Sequence, residues 1–82
     1  MIHNLKIKGN YIKAIIYGNK TFEVRKDDRN FNIGDILILN EINTKGLYTG
    51  FNIKVKVTYI LGRKEEEKQF VKKGYVILGI KK

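Results

Sequence analysis

His3, Leu5 and Ile7 alternate with Asn4, Lys6 and Lys8 at the start of the chain, the period-two signature of a half-buried strand. Gly9 and Asn10 break this alternation. Tyr11, Ile12, Ile15 and Ile16 then recur at helical spacing, which predicts a helix of about two turns, capped by Asn10 and closed by Gly18 and Asn19. Residues 21–25 alternate again, and the pattern predicts Phe22 and Val24 inward, with Thr21, Glu23 and Arg25 sharing the opposite face. A charged, turn-prone loop follows at residues 26–30, and Gly34 with Asp35 leads into the next segment. Residues 36–42 are nearly continuously apolar, as a strand covered on both sides would be. Residues 43–50 hold Gly46 and Gly50 and read as a hairpin loop with Tyr48 near its tip. Beyond it Ile53, Val55, Val57 and Tyr59 alternate with Lys54, Lys56 and Thr58, predicting a long strand with a basic outer face that ends at Gly62. A charge-mixed connection over residues 63–73, weakly helical near residues 65–70, precedes a closing strand at residues 75–80, with Lys81 and Lys82 frayed.

This order of elements predicts a mainly β (α+β) fold, a small β-barrel with one short helix after the first strand. Eighty-two residues suit a single domain spanning 1–82. A chain this short buries only about 60 to 65% of its unfolded surface, so a groove or shallow pocket is expected rather than an enclosed chamber. The chain has no cysteine, which excludes disulfides, thiolate zinc sites and a cysteine nucleophile and suits the cytoplasm. With His3 the one histidine, neither a metal site nor a cofactor is expected. No apolar run approaches the roughly 20 residues that span a bilayer, and the first eight residues lack the apolar centre of a secretory signal. Seventeen lysines and arginines against eight acids leave a net charge of +9, which points to a polyanionic partner.

The chemistry concentrates in Gly18-Asn19-Lys20-Thr21-Phe22-Glu23-Val24-Arg25. Glu23 and Arg25 share a strand face and Lys20 stands at the corner between helix and strand, so the three can converge. Lys20 and Arg25 suit a phosphate or carboxylate, Arg25 as a bidentate fork, while Glu23 can orient a cation or accept from a base edge. The plainer alternative is a same-strand ion pair on a solvated face, worth little.

The pattern Gly18-x-Lys20-x-x-Glu23-x-Arg25 resembles the signature of ASCH domains, a PUA-like family associated with RNA binding. The resemblance extends to His3-x-Leu5-Lys6, to Phe22 through Phe31, to Gly34-Asp35-Ile36-Leu37, to Tyr48-Thr49-Gly50 and to Gly74 through Ile80. It implies a PUA-like barrel with a ligand cleft beside the first helix, lined by Lys20, Glu23 and Arg25, with Asp28 and Arg29 next. Asp27 stands where this branch of the family carries asparagine. Tyr48 is added as an exposed stacking residue, Phe31 as a plug beneath the charged loop, and His3 as a ligand contact or a structural histidine at the cleft edge.

Three functions follow as expectations. The first is a monomeric module that binds RNA or a nucleotide through Lys20, Glu23, Arg25, Asp28, Arg29, Tyr48 and His3. The second is a hydrolase of an acylated cytidine nucleoside, with Glu23 as general base and Lys20 stabilising the oxyanion. Amidohydrolases among small ASCH proteins carry threonine at the place of Glu23, which argues against their acyl-enzyme chemistry here. The third is a phage or mobile-element protein whose basic surface meets an acidic host protein.

Overall fold

The computed structural model describes residues 1–82. Its elements run β1 (Ile2–Lys8), α1 (Gly9–Ile16), β2 (Phe22–Lys26), β3 (Ile36–Ile42), β4 (Tyr48–Leu61), a 3₁₀ turn at Glu65–Gln69, and β5 (Tyr75–Lys81). The five strands form one sheet in the order β1-β3-β4-β5-β2, with β1 and β3 parallel and every other pair antiparallel. The sheet curls into a half-barrel, the mainly β architecture that the alternation predicts. Its two edges, β1 and β2, face each other without pairing, and the site described below occupies that seam.

One apolar cluster fills the concave side. Leu5 and Ile7 of β1, Leu37 and Leu39 of β3, Val55 and Val57 of β4, and Val76, Leu78 and Ile80 of β5 meet Ile12 and Ile15 of α1 and Phe31 from the loop. Side chains at alternate positions point to one face, and in each of these strands every second residue enters the core. The helix contributes the two residues that its spacing places one turn apart and thereby covers one side of the half-barrel.

Several expectations are corrected by the geometry. Asn10 does not cap α1: Lys8 occupies the N-cap in an extended conformation with no side-chain cap bond, because β1 passes into the helix without an intervening loop. In β2 the polarity is inverted, with Glu23 buried and Phe22 and Val24 exposed. The long apolar run of β3 is covered on one face only, Leu37 and Leu39 being buried and Ile36 and Ile38 half-buried. Tyr48 is not at a loop tip; it opens β4 and pairs with Ile42. The predicted alternation of β4 breaks at a bulge between Val57 and Tyr59, which turns Tyr59 to solvent. Lys81 does not fray but pairs with Lys56. Glu67 leaves the solvated acidic run to accept from the Gly62 N–H at 2.7 Å, and this bond lowers its pKa.

Most of the aromatic side chains lie outside the core. Phe31 is fully buried, whereas Tyr11, Tyr17, Phe22, Tyr48, Phe51, Tyr59 and Phe70 are exposed. Asp35, also buried, anchors the loop under which Phe31 sits. Its carboxylate meets His3 Nε2 at 2.8 Å, accepts from the Asn32 N–H at 2.9 Å and lies 3.1 Å from the Met1 amine. The bond to His3, then that to Asn32, holds the Asp35 carboxyl down to about 2.

Candidate functional site

Gly18 sets the position of the first site residue. Its φ of +81° lies in the left-handed region that glycine enters freely, and there the helix ends, with the N–H groups of both Asn19 and Lys20 returning to the Ala14 carbonyl. The chain emerges as β2 with Lys20 at the corner. From the Lys20 ammonium, one bond runs to the Phe22 carbonyl at 2.7 Å and another to Glu23 Oε1. The ammonium also lies 5.4 Å from the centre of the Tyr11 ring and 5.2 Å from that of Phe22, within the range of cation–π attraction.

Glu23 is 5% exposed. A carboxylate at that depth requires partners, and Arg25 supplies them: Nε donates to Oε2 at 2.9 Å and Nη2 lies 2.8 Å from the same oxygen. Arg25 also donates from Nη2 to the Lys6 carbonyl at 2.7 Å, bridging the seam from β2 to β1. Guanidinium has five N–H donors, and the two on Nη1 have no protein acceptor. Lys20 likewise keeps one donor beyond its two bonds. Two cations held by one buried anion thus offer free donors to a ligand, with a net charge of +1 at their centre.

The seam holds two adjoining clefts. The first, of about 480 Å³, runs between β1 and β2 past Lys20, Glu23, Arg25, Lys6, Lys8 and the rings of Tyr11 and Phe22. The second, of about 380 Å³, continues past Arg25 and Lys6 to Lys26, Asp28, Arg29, Phe31 and Tyr48. Both volumes fall in the range of small-ligand sites, about 300 to 1,000 Å³. Arg25 and Lys6 line both clefts, so they form one groove. Asn30 shapes the far end: its φ of +51° turns the chain so that Arg29 stays exposed while Phe31 enters the core.

Of the residues singled out in the sequence, Lys20, Glu23 and Arg25 converge, and Asp28, Arg29 and Tyr48 line the second cleft. His3 lines neither; it is buried against Asp35 and stacks edge-on to Phe31 with ring centres 4.8 Å apart. Asp27 is taken up by a bidentate bond to Arg63, at 2.9 and 2.8 Å, which lowers its pKa. Lys6 and Lys8 were missed as lining residues, because strand alternation sends them away from the core and only the topology brings β1 beside β2. The Lys6 ammonium lies 5.6 Å from the centre of the Tyr48 ring. No group of three His, Cys, Asp or Glu side chains stands close enough to hold a metal ion, and no helix is long and apolar enough to cross a membrane.

Comparison with known proteins relates the chain to a family, to a curated phage protein and to a solved structure. A family model described as "Domain of unknown function (DUF3850)" matches residues 2–80. An uncharacterized 12.9 kDa protein in the GpA 3′ region of Escherichia phage P2 is 39% identical over 57 residues, which are 70% of this chain. The matched segment is 51% of that phage protein, so the chain spans about half the length of this curated relative. The crystal structure of hypothetical protein PH0355 aligns over 99% of this chain and 98% of its own, with a TM-score of 0.66 and 23% identity, a likeness of fold.

Proposed function

This chain belongs to the DUF3850 family, and we propose that it is an RNA- or nucleotide-binding module whose ligand lies in the seam between β1 and β2. The observation that carries this reading is the Lys20–Glu23–Arg25 cluster, in which a buried carboxylate orients two cations that keep donors free. Fixed guanidinium and ammonium donors suit phosphate oxygens. Tyr11, Phe22 and Tyr48 along the groove supply faces on which bases stack, and the net charge of +9 supplies long-range attraction. The resemblance of Gly18-x-Lys20-x-x-Glu23-x-Arg25 to the ASCH signature supports the same assignment, since that PUA-like family is associated with RNA.

The hydrolase reading is weaker. Both oxygens of Glu23 are engaged by cations, the arrangement of an orienting anion rather than of a base waiting for a water proton. Incubation with N4-acetylcytidine therefore leaves the nucleoside intact.

Titration of the protein with a single-stranded RNA octamer at several salt concentrations tests the proposal. Binding falls steeply with salt, and Arg25→Ala weakens it while the far-ultraviolet circular dichroism spectrum stays that of the parent. Affinity unchanged from that of the parent in both Arg25→Ala and Lys20→Ala overturns the proposal. Absence of binding by the parent overturns it as well, and favours an acidic protein as the partner of the basic face, a reading consistent with the phage relative.

A further inference from the structure

The outer face of β2, β5 and β4 carries a feature that shares only Phe22 with the seam. In the sheet register Phe22 pairs with Gly79, and Gly79 pairs with Tyr59. Directly opposed residues project to one side of a sheet, so the three form a row across neighbouring strands, two aromatic residues flanking a position that has no side chain of its own. Adjacent strands lie about 4.8 Å apart, placing the outer two residues about 9.6 Å from each other. A flat ring between two others needs about 7 to 8 Å, two contacts of 3.5 to 4.0 Å each. The gap over Gly79 thus has the width for one inserted base.

Aromatic neighbours often fold down to cover a strand glycine. Here Phe22 is 47% and Tyr59 53% exposed, and Gly79 remains partly accessible between them. The bulge after Val57 is what places Tyr59 on this face. It also brings the Thr58 hydroxyl to 3.0 Å from where a Cβ on residue 79 would stand, a polar group at the floor of the gap that can meet a base edge. Gly79 has no left-handed backbone to explain it, whereas a side chain there would fill the gap.

Charge selects the occupant. Two residues along β5 from Gly79, about 6.6 Å at strand rise, Lys81 pairs directly with Lys56. Like charges directly opposed are unfavourable, and neither lysine has an ion-pair partner. Glu23 is the one carboxylate in the three strands, and it faces the cleft. A second copy of this face would set lysine against lysine, whereas a polyanion bearing bases matches both the rings and the lysines. Phe22 also lines the first cleft, so the face is continuous with the seam.

We propose that the Phe22–Gly79–Tyr59 row is a slot for one base of a single-stranded nucleic acid, with Lys56 and Lys81 receiving the adjacent phosphate, on a strand that extends out of the seam. The proposal rests on the nucleic-acid reading given above. Its test is an RNA octamer with 2-aminopurine at a central position, whose fluorescence falls on stacking, titrated beside uridine monophosphate as a ligand small enough for the seam alone. Tyr59→Leu weakens octamer binding by roughly five- to 150-fold, the loss of one stacked base, and abolishes the quenching, while monophosphate binding stays within twofold of the parent. Tyr59→Phe retains both octamer binding and quenching. If Tyr59→Leu binds and quenches the octamer as the parent does while Arg25→Ala loses both ligands, the slot is overturned and the seam stands. If Tyr59→Leu loses the octamer while Arg25→Ala binds as the parent, the slot stands without the seam. A parent that binds neither ligand overturns both.

Discussion

Replacing Glu23 by glutamine tests the central geometry, because it keeps shape and removes charge at the point where two cations meet. Glu23 Oε1 accepts from Lys20, and Oε2 accepts from Arg25 Nε at 2.9 Å with Nη2 at 2.8 Å. A glutamine has one carbonyl oxygen. If that oxygen keeps Arg25, its amide NH2 confronts the Lys20 ammonium, donor against donor, and the lysine must leave. The loss of one hydrogen bond between charged groups costs about 1.5 to 3 kcal/mol. Lys20 retains its bond to the Phe22 carbonyl, and its side chain is 16% exposed and can turn to water, which sets the cost near the lower limit, about 1.5 kcal/mol. For a chain of 82 residues, each kcal/mol moves the midpoint by about 4 to 8 °C, so Glu23→Gln lowers Tm by roughly 6 to 12 °C. Thermal denaturation followed by circular dichroism reads this directly. Binding moves the other way in its salt dependence: without the carboxylate the cluster's charge rises from +1 to +2, and the slope of log affinity against log salt for single-stranded RNA steepens by up to about 0.7. A Tm within about 2 °C of the parent would refute the reasoning, since Glu23 would then not be the buried tie between the cations.

Asp35 governs the acid limb of stability. Its folded pKa of about 2 lies below the ordinary 3.8, so the unfolded chain binds more protons between those values. The contribution is complete above about pH 4 and disappears as pH falls towards 2; Tm measured across this window falls less steeply in Asp35→Asn than in the parent. Gly62 has φ +123°, and a Cβ there would stand 2.9 Å from both the Tyr75 carbonyl oxygen and Val71 Cγ1. Gly62→Ala therefore destabilises the fold by about 2 kcal/mol or more, read as a lower urea midpoint at unchanged slope. Asp27→Asn removes the bidentate tie to Arg63 but acts at a partly exposed pair, and costs no more than about 1 kcal/mol, a loss that shrinks further in 1 M salt.

Strands with a clear period two were legible from the sequence wherever one face meets the core. β1 and the middle of β4 bury the residues that alternation selects, and β5 forms where the closing strand is expected. The failures share a cause: pattern reading assumes that apolar residues define the inside. The run of β3 looked two-sided, yet its half-buried isoleucines lie on the convex side of a single curled sheet. Tyr59 was assigned inward because a bulge adds a residue to one strand without leaving a signal in the hydrophobic pattern. His3 looked available to a ligand because its partner Asp35 lies 32 residues away in the chain, a pairing that only the parallel β1–β3 register creates.

β2 is the informative error. Its two faces were separated correctly, with Glu23 and Arg25 on one and Phe22 and Val24 on the other, but their roles are exchanged. An edge strand of an open half-barrel turns its concave side towards the seam rather than the core, so charge on that side costs little if the charges pair, and here Glu23 pairs with both cations. The convex side then holds apolar residues with nothing over them. A folding code aimed at stability alone would place Phe22 and Val24 inward and close β2 onto β1. The inverted polarity instead holds the seam open, bridged by Arg25 to the Lys6 carbonyl, and leaves Phe22 exposed beside Gly79 and Tyr59. One choice of pattern in five residues thus creates both the cation-lined groove and the aromatic row outside it. A variant that restores the ordinary polarity of β2 would gain core at the expense of both.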